Sequence, residues 1–235
     1  MNDVAVLAGG TGSVGRALIP TLISRGFRIG ATYLVPEEAA ALEEELDLDD
    51  DELLLRRVDA SDAQAVDKFM QEAMDTFGQI NVAAALVGGW AGGRDVAETD
   101  DVRFDRMIDL NLRTAFNTAR AAIPHIRQAA WGRIILMGSQ HAVFAPSGQA
   151  AYNASKAGVI ALGQSIAVEL SDTEVTCNIL LPSVIDTAAT RAALPYADYV
   201  NWPKPAEIAS VIDFLASARS KVINGATIPV TGKGL

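Results

Sequence analysis

The chain has one cysteine, two histidines and few charges, and each shortage removes a class of protein. A lone Cys177 forms no internal disulfide, which excludes a disulfide-stapled scaffold. It sits in an apolar run and reads as an inert buried thiol. His125 and His141 with that one thiol make no ligand cluster, so no metal is expected. Charged residues are 20% of the chain and no long polar tract occurs, which argues against disorder. No uncharged apolar run approaches the roughly 18 residues of a membrane span, so no membrane is expected. Basic residues are outnumbered by acidic ones, 19 to 29, for a formal net charge of −10. Nucleic acid is therefore not an expected partner, because duplex binding rests on neutralising phosphates with Lys and Arg. The acidity also weighs against a strongly acidic carrier protein, unless Arg103, Arg106, Arg113, Arg120 and Arg127 form a basic patch. The opening "MNDVAVLAGG" has an acid where a secretory leader carries basic residues. A cytoplasmic location is the expectation.

What the chain does have is apolar material in a regular rhythm. Hydrophobic residues make up 50% of 235, enough for one sizeable core, and a single domain over residues 1–235 is expected. Short apolar runs ("VAVLAGG", "FRIGATYLV", "LLLRRVDASD", "INVAAALVGG", "GRIILMGSQ", "VTCNILLPS", "GATIPVTG") alternate with helical patterns. Strands that read as continuous apolar runs, separated by helices, imply βαβ units and a parallel sheet covered on both faces. The fold class is α/β, a Rossmann-type doubly wound parallel sheet of about seven strands. The helix "DVRFDRMIDLNLRTAFNTARAAIPHIRQ" is expected to bend near Pro124. The acidic run Glu43–Glu52 reads as a solvated helix end and loop.

After the first strand comes "AGGTGSVGRAL". Gly10, Gly12 and Gly15 satisfy G-x-G-x-x-G between a strand and a helix. A pyrophosphate needs bare backbone N–H groups at a helix N-terminus, and larger side chains would block its approach. Gly9, Gly10, Thr11, Gly12, Ser13, Val14 and Gly15 are the candidate cradle. An acid that binds the adenosine ribose is expected about 20 residues on. The second strand ends in Thr32-Tyr33-Leu34, with Tyr33 at the ribose position and neither acid nor base beside it. With no acid to repel a 2′-phosphate, the reading leans to NADP(H) over NAD(H).

"GQAAYNASKAGVIALGQSIAVELS" places Tyr152 and Lys156 on one face of a helix, since i and i+4 project together. A free phenol, with a pKa near 10, is a poor proton shuttle at neutral pH. A nearby cation favours the phenolate and lowers that value. The pair makes a general acid/base suited to alcohol–carbonyl interconversion.

With the glycine loop, Asn111 in "LNLRTAF", and Ser139 in "IILMGSQ" at a family-like spacing before Tyr152, the whole chain resembles a short-chain dehydrogenase/reductase. It is mostly of the classical type and is similar to the 3-oxoacyl-carrier-protein-reductase-like branch. The resemblance implies an NAD(P)(H)-dependent oxidoreductase that interconverts a ketone and a secondary alcohol. It implies that Tyr152 handles the proton and that Lys156 holds the nicotinamide ribose and depresses the tyrosine pKa. Ser139 would bond the substrate oxygen, and Asn111 would position a water in a proton relay. Asp59 and Ala60 in "VDASD" would meet the adenine, and Gly88 would let the cofactor pass. Pro182, Ser183, Val184 and Thr187 would border the nicotinamide. Gln140, His141, Gln149 and Trp90 are candidate substrate contacts, and residues 186–205 the short substrate loop, suited to a compact substrate. A homotetramer (or homodimer) is implied, and Ala157, Gly158, Ala161 and Gly163 permit close helix approach.

Some residues depart from the family pattern. Ser13 stands where its classical members have a glycine, so the loop also resembles the T-G-x-x-G-x-x-G of extended members. Ala85-Leu86-Val87-Gly88 replaces N-N-A-G. Two alternatives follow: a sugar-nucleotide epimerase or dehydratase of the extended type, or a non-catalytic dinucleotide-sensing regulator. The chain ends soon after its last strand, which counts against the first. The presence of Asn111, Ser139, Tyr152 and Lys156 counts against the second.

Overall fold

The computed structural model describes residues 2–46 and 52–233. Seven strands form one parallel sheet: β1 (Val4–Ala8), β2 (Arg28–Tyr33), β3 (Leu53–Arg57), β4 (Val82–Ala85), β5 (Gly132–Met137), β6 (Val175–Pro182) and β7 (Thr227–Val230). Their order is β3-β2-β1-β4-β5-β6-β7, with β1 paired to both β2 and β4. The order reverses at β1/β4, and a crevice opens there at the carboxyl ends of the strands.

Alternate residues of each strand feed two cores, as a period of two requires. Val4 and Val6 join Phe69, Met70, Phe77 and Ile126 beneath α3 (Ala63–Phe77) and α5 (Thr114–Ile126). Ala5 and Leu7 join Leu18, Leu22, Leu42 and Ile212 beneath α1 (Ser13–Ser24), α2 (Pro36–Leu46) and α9 (Pro205–Leu215). Local signals set the helix ends. Asp62 caps α3 by accepting the Gln64 and Ala65 N–H groups, and Gly78 closes it at φ +81°. Cys177 is fully buried in β6, and burial pushes its thiol up to about 12.

Three details of the helices go beyond the sequence. Pro124 lies within the final turn of α5. The helix is interrupted earlier: α4 (Asp101–Met107) passes into a π-helical segment, Ile108–Arg113, before α5 begins. The close approaches at Gly158 and Gly163 are made within the subunit. A Cβ on Gly158 would lie 2.8 Å from Leu112 Cδ2, and one on Gly163 2.5 Å from Ile179 Cγ1. Ala157 and Ala161 remain exposed on α7 (Ala150–Glu169). Of the arginines named as a conceivable basic patch, Arg103 lies near Asp100 and Arg113 pairs with Asp109. Of the acidic run, residues 47–51 lie outside the described residues.

Candidate active site

β1 ends at Ala8, and the chain turns sharply at Gly9, whose φ of +84° suits a residue without a Cβ. Gly12 begins α1 with no side-chain cap, leaving the first-turn N–H groups bare at the positive end of the helix. A Cβ on Gly15 would sit 2.3 Å from the Gly10 carbonyl oxygen, so only glycine lets α1 pack this closely on its own loop. Gly9, Gly12, Ser13, Val14 and Gly15 line one side of a cleft of about 430 Å³. Gly10 and Thr11 support it from behind. The Gly10 N–H donates to the Thr32 carbonyl at 2.8 Å, and the buried Thr11 hydroxyl donates to Glu38 at 2.9 Å.

The far wall of the cleft carries Ser139, Tyr152 and Lys156. Ser139 follows β5 through Gly138, whose N–H is held by the Leu180 carbonyl on β6. Its hydroxyl oxygen accepts the His141 N–H at 3.2 Å. Tyr152 and Lys156 project from the first turns of α7, and Lys156 Nζ donates to the Met137 carbonyl oxygen at 2.7 Å. A Cβ on Gly88 would lie 3.0 Å from both Lys156 Nζ and Asn111 Oδ1, a tight fit that those side chains would have to yield to.

Asn111 sits on the π segment, a rare geometry that often marks function. It is buried and does not line the cleft. Its oxygen accepts the Gly89 N–H at 3.0 Å, and its amide donates to the Gly89 carbonyl and to Ser155 Oγ, each at 3.1 Å. Its amide hydrogens and oxygen are engaged here, so the side chain clasps the loop after β4.

The electrostatics correct an expectation. The Tyr152 phenol is raised above its usual value, not lowered: burial is the larger effect and the Ser139 hydroxyl draws it part way back. Lys156 is itself pushed down to about 8 by burial. In the protein alone, desolvation outweighs any help the ammonium gives the phenolate.

Other expected residues divide in the same way. Pro182, Ser183, Val184 and Thr187 line the cleft, as do Trp90, His141 and Gln149. Tyr33, Asp59, Ala60 and Gln140 do not. Asp59 is exposed and turns its carboxylate onto Ser61, accepting its N–H at 2.9 Å and its hydroxyl at 2.7 Å. Ala60 is buried, with its carbonyl accepting from Asn117. The Gln140 N–H is held by the Pro182 carbonyl.

Sequence reasoning missed several groups. Segment 186–205 contains α8 (Ala188–Ala193), capped by Thr187, and brings Thr190, Ala193 and Leu194 to the cleft. Arg57 lies cross-strand from Tyr33 and donates from Nε to the Leu34 carbonyl at 3.3 Å. Strand pairing was the only signal for it.

A bare helix N-terminus set on glycines, continuous with a wall bearing a hydroxyl, a phenol and an ammonium, fits a dinucleotide and a carbonyl side by side. A family model described as short chain dehydrogenase matches residues 3–196. The chain belongs to the short-chain dehydrogenase family. It is an NAD(P)-dependent oxidoreductase acting between ketone and alcohol. The 3-oxoacyl-[acyl-carrier-protein] reductase MabA of Mycobacterium tuberculosis is 32% identical, covering 97% of this chain and 90% of that one. The 3beta-hydroxysteroid dehydrogenase 2 of Eggerthella lenta is 29% identical, covering 98% and 94%. Among solved structures, carveol dehydrogenase from Mycobacterium avium in complex with NAD superposes with a TM-score of 0.88 at 25% identity, covering 97% and 96%.

Proposed function

We propose that the protein reduces a compact ketone, or oxidises the matching secondary alcohol, with Tyr152 as the proton-transferring group. The observation that carries this reading is the placement of Ser139, Tyr152 and Lys156 on the wall of the same cleft that the glycine cradle lines. When bound, the dinucleotide supplies or accepts the hydride.

Tyr152 and Ser139 hold the substrate oxygen. The raised phenol keeps its proton until charge grows on that oxygen, then donates it. Ser139 stabilises the same developing charge. Lys156, with a pKa of about 8, is mostly an ammonium at neutral pH and stabilises the phenolate left behind. Its bond to the Met137 carbonyl fixes where that charge sits. Asn111 holds the Gly89 peptide at the floor of the site.

NADP(H) is the favoured cofactor. No acid ends β2, and the Arg57 guanidinium, which donates to the Leu34 carbonyl, pairs with no carboxylate among the described residues. Glu38 is the opposing charge near the loop, and it is engaged by the Thr11 hydroxyl.

The substrate is small rather than carrier-bound. Two of the relatives above carry acyl-carrier-protein and steroid substrates in their names, yet this chain has a formal net charge of −10 and the segment at α8 brings Thr190, Ala193 and Leu194 to the cleft lining. A homotetramer is the assembly we favour, supported by exposed Phe104, Phe116 and Val168 on α4, α5 and α7. The functional test is nicotinamide absorbance, with NADPH and NADH, against a panel of ketones and alcohols. Turnover of small ketones supports the reading. No turnover of any, despite cofactor binding, refutes it.

A further inference from the structure

Three side chains on the substrate side of the cleft meet at one atom. Gln149 Oε1 lies 2.5 Å from Trp90 Nε1 and 3.3 Å from His141 Nδ1. An indole nitrogen only donates, so the amide atom facing it is the oxygen. An amide oxygen only accepts, so His141 Nδ1 carries the hydrogen. In the neutral ring Nε2 is then a bare acceptor, and no hydrogen-bond partner meets it among the described residues.

The surroundings hold this arrangement in place. Gly92 leaves room for the indole: a Cβ there would lie 2.6 Å from the Trp90 ring and 3.2 Å from Gln149 Cβ. The Gly93 N–H is held by the Gly148 carbonyl at 2.7 Å, which joins the Trp90 loop to the start of α7. His141 is fixed from the other side, its backbone N–H on Ser139 Oγ and its ring edge-on to Tyr152 at 6.3 Å between centroids. The imidazole therefore lines the cleft beside Ser139 and Tyr152, the two groups proposed to hold the reacting oxygen.

We propose that Gln149 is a positioning residue that presents His141 Nε2 to the substrate as a hydrogen-bond acceptor, selecting ketones and alcohols that bear a hydroxyl or N–H beside the reacting carbon. The inference rests on the oxidoreductase reading above and names the substrate class within it. Trp90, pinned by the same amide oxygen, forms the apolar wall against which the rest of such a substrate lies.

Two measurements test it. The first needs no turnover. Nitrogen-15 NMR at about pH 8, where an ordinary imidazole is neutral, reads the tautomer of each ring. The chain has two histidines, and His125→Asn assigns the signals. His141 is expected as the Nδ1–H form, with Gln149→Ala shifting it toward the commoner mixture. A dominant Nε2–H form in the wild type overturns the proposal. The second compares 2-hydroxycyclohexanone with cyclohexanone, by kcat/KM or, for a protein that turns over neither, by calorimetric Kd with dinucleotide present. The hydroxyketone is expected to be favoured at least about tenfold, the scale of one good hydrogen bond. Gln149→Ala and His141→Phe should each bring the ratio near one, and His141→Gln should restore part of it. Equal values for the two ketones in the wild type overturn the proposal. Loss of turnover alone, with the tautomer and the binding ratio intact, counts against the oxidoreductase reading and not against this one.

Discussion

Lys156 Nζ donates to the carbonyl oxygen of Met137 at 2.7 Å, so the ammonium of the site is tied to the end of β5. The group is 4% exposed, and burial lowers its pKa to about 8 from an ordinary 10.5. Between those values the unfolded chain binds more protons than the folded one, so this residue makes stability rise with pH. Tyr152 shifts the other way but titrates only above about pH 10. Denaturant unfolding of wild type and Lys156→Met should therefore converge or cross in favour of the wild type between pH 8 and 10. A stability difference constant across that window would contradict the burial of a charged Lys156.

Removing the Asn111 amide should cost more than a surface substitution. Its oxygen and amide hydrogens are bound to Gly89 and Ser155 in a buried position. Asn111→Ala should lower stability by about 1–3 kcal/mol, the range for buried groups left unpaired. Urea unfolding gives the number, and turnover should fall with it, because the loop that carries Gly88 and Trp90 loses its clasp.

Gly88→Ala tests the floor of the cleft. The new methyl would lie 3.0 Å from Lys156 Nζ and from Asn111 Oδ1, so both side chains would have to give by a few tenths of an ångström. Dinucleotide affinity, followed by fluorescence titration, should fall by roughly tenfold or more. An unchanged Kd would show that the lysine yields without consequence.

Arg57→Ala should weaken NADPH binding by about tenfold to a hundredfold, the scale of one charge-assisted hydrogen bond. NADH binding should stay within about twofold. Because Arg57 is exposed, the NADPH effect should shrink as salt rises. Equal losses for both cofactors would remove Arg57 as the discriminating residue.

The sequence carried the sheet and the chemistry-bearing residues because both are local signals. Apolar runs marked all seven strands, five of them bordered by glycine, and the i, i+4 spacing placed Tyr152 with Lys156 on one helix. What it did not carry depends on contacts between distant segments. Arg57 gains meaning only from pairing with Tyr33 on the neighbouring strand. The Asn111 clasp depends on the π-helical turn at Ile108–Arg113, which no residue pattern announces. The direction of the Tyr152 shift was read wrongly, since a partner's charge is visible in sequence and burial is not. Gln149, Trp90 and His141 were each marked as candidates, but their meeting at one oxygen required the fold.

The central claim is that the Tyr152 hydroxyl delivers the proton in a site whose dinucleotide cradle is separate from it. Tyr152→Phe tests this most directly, with kcat and dinucleotide Kd measured on the same preparation. The account predicts that kcat falls by about 10²–10⁴-fold while Kd changes less than about threefold. Turnover within about tenfold of wild type, with Kd intact, would contradict it.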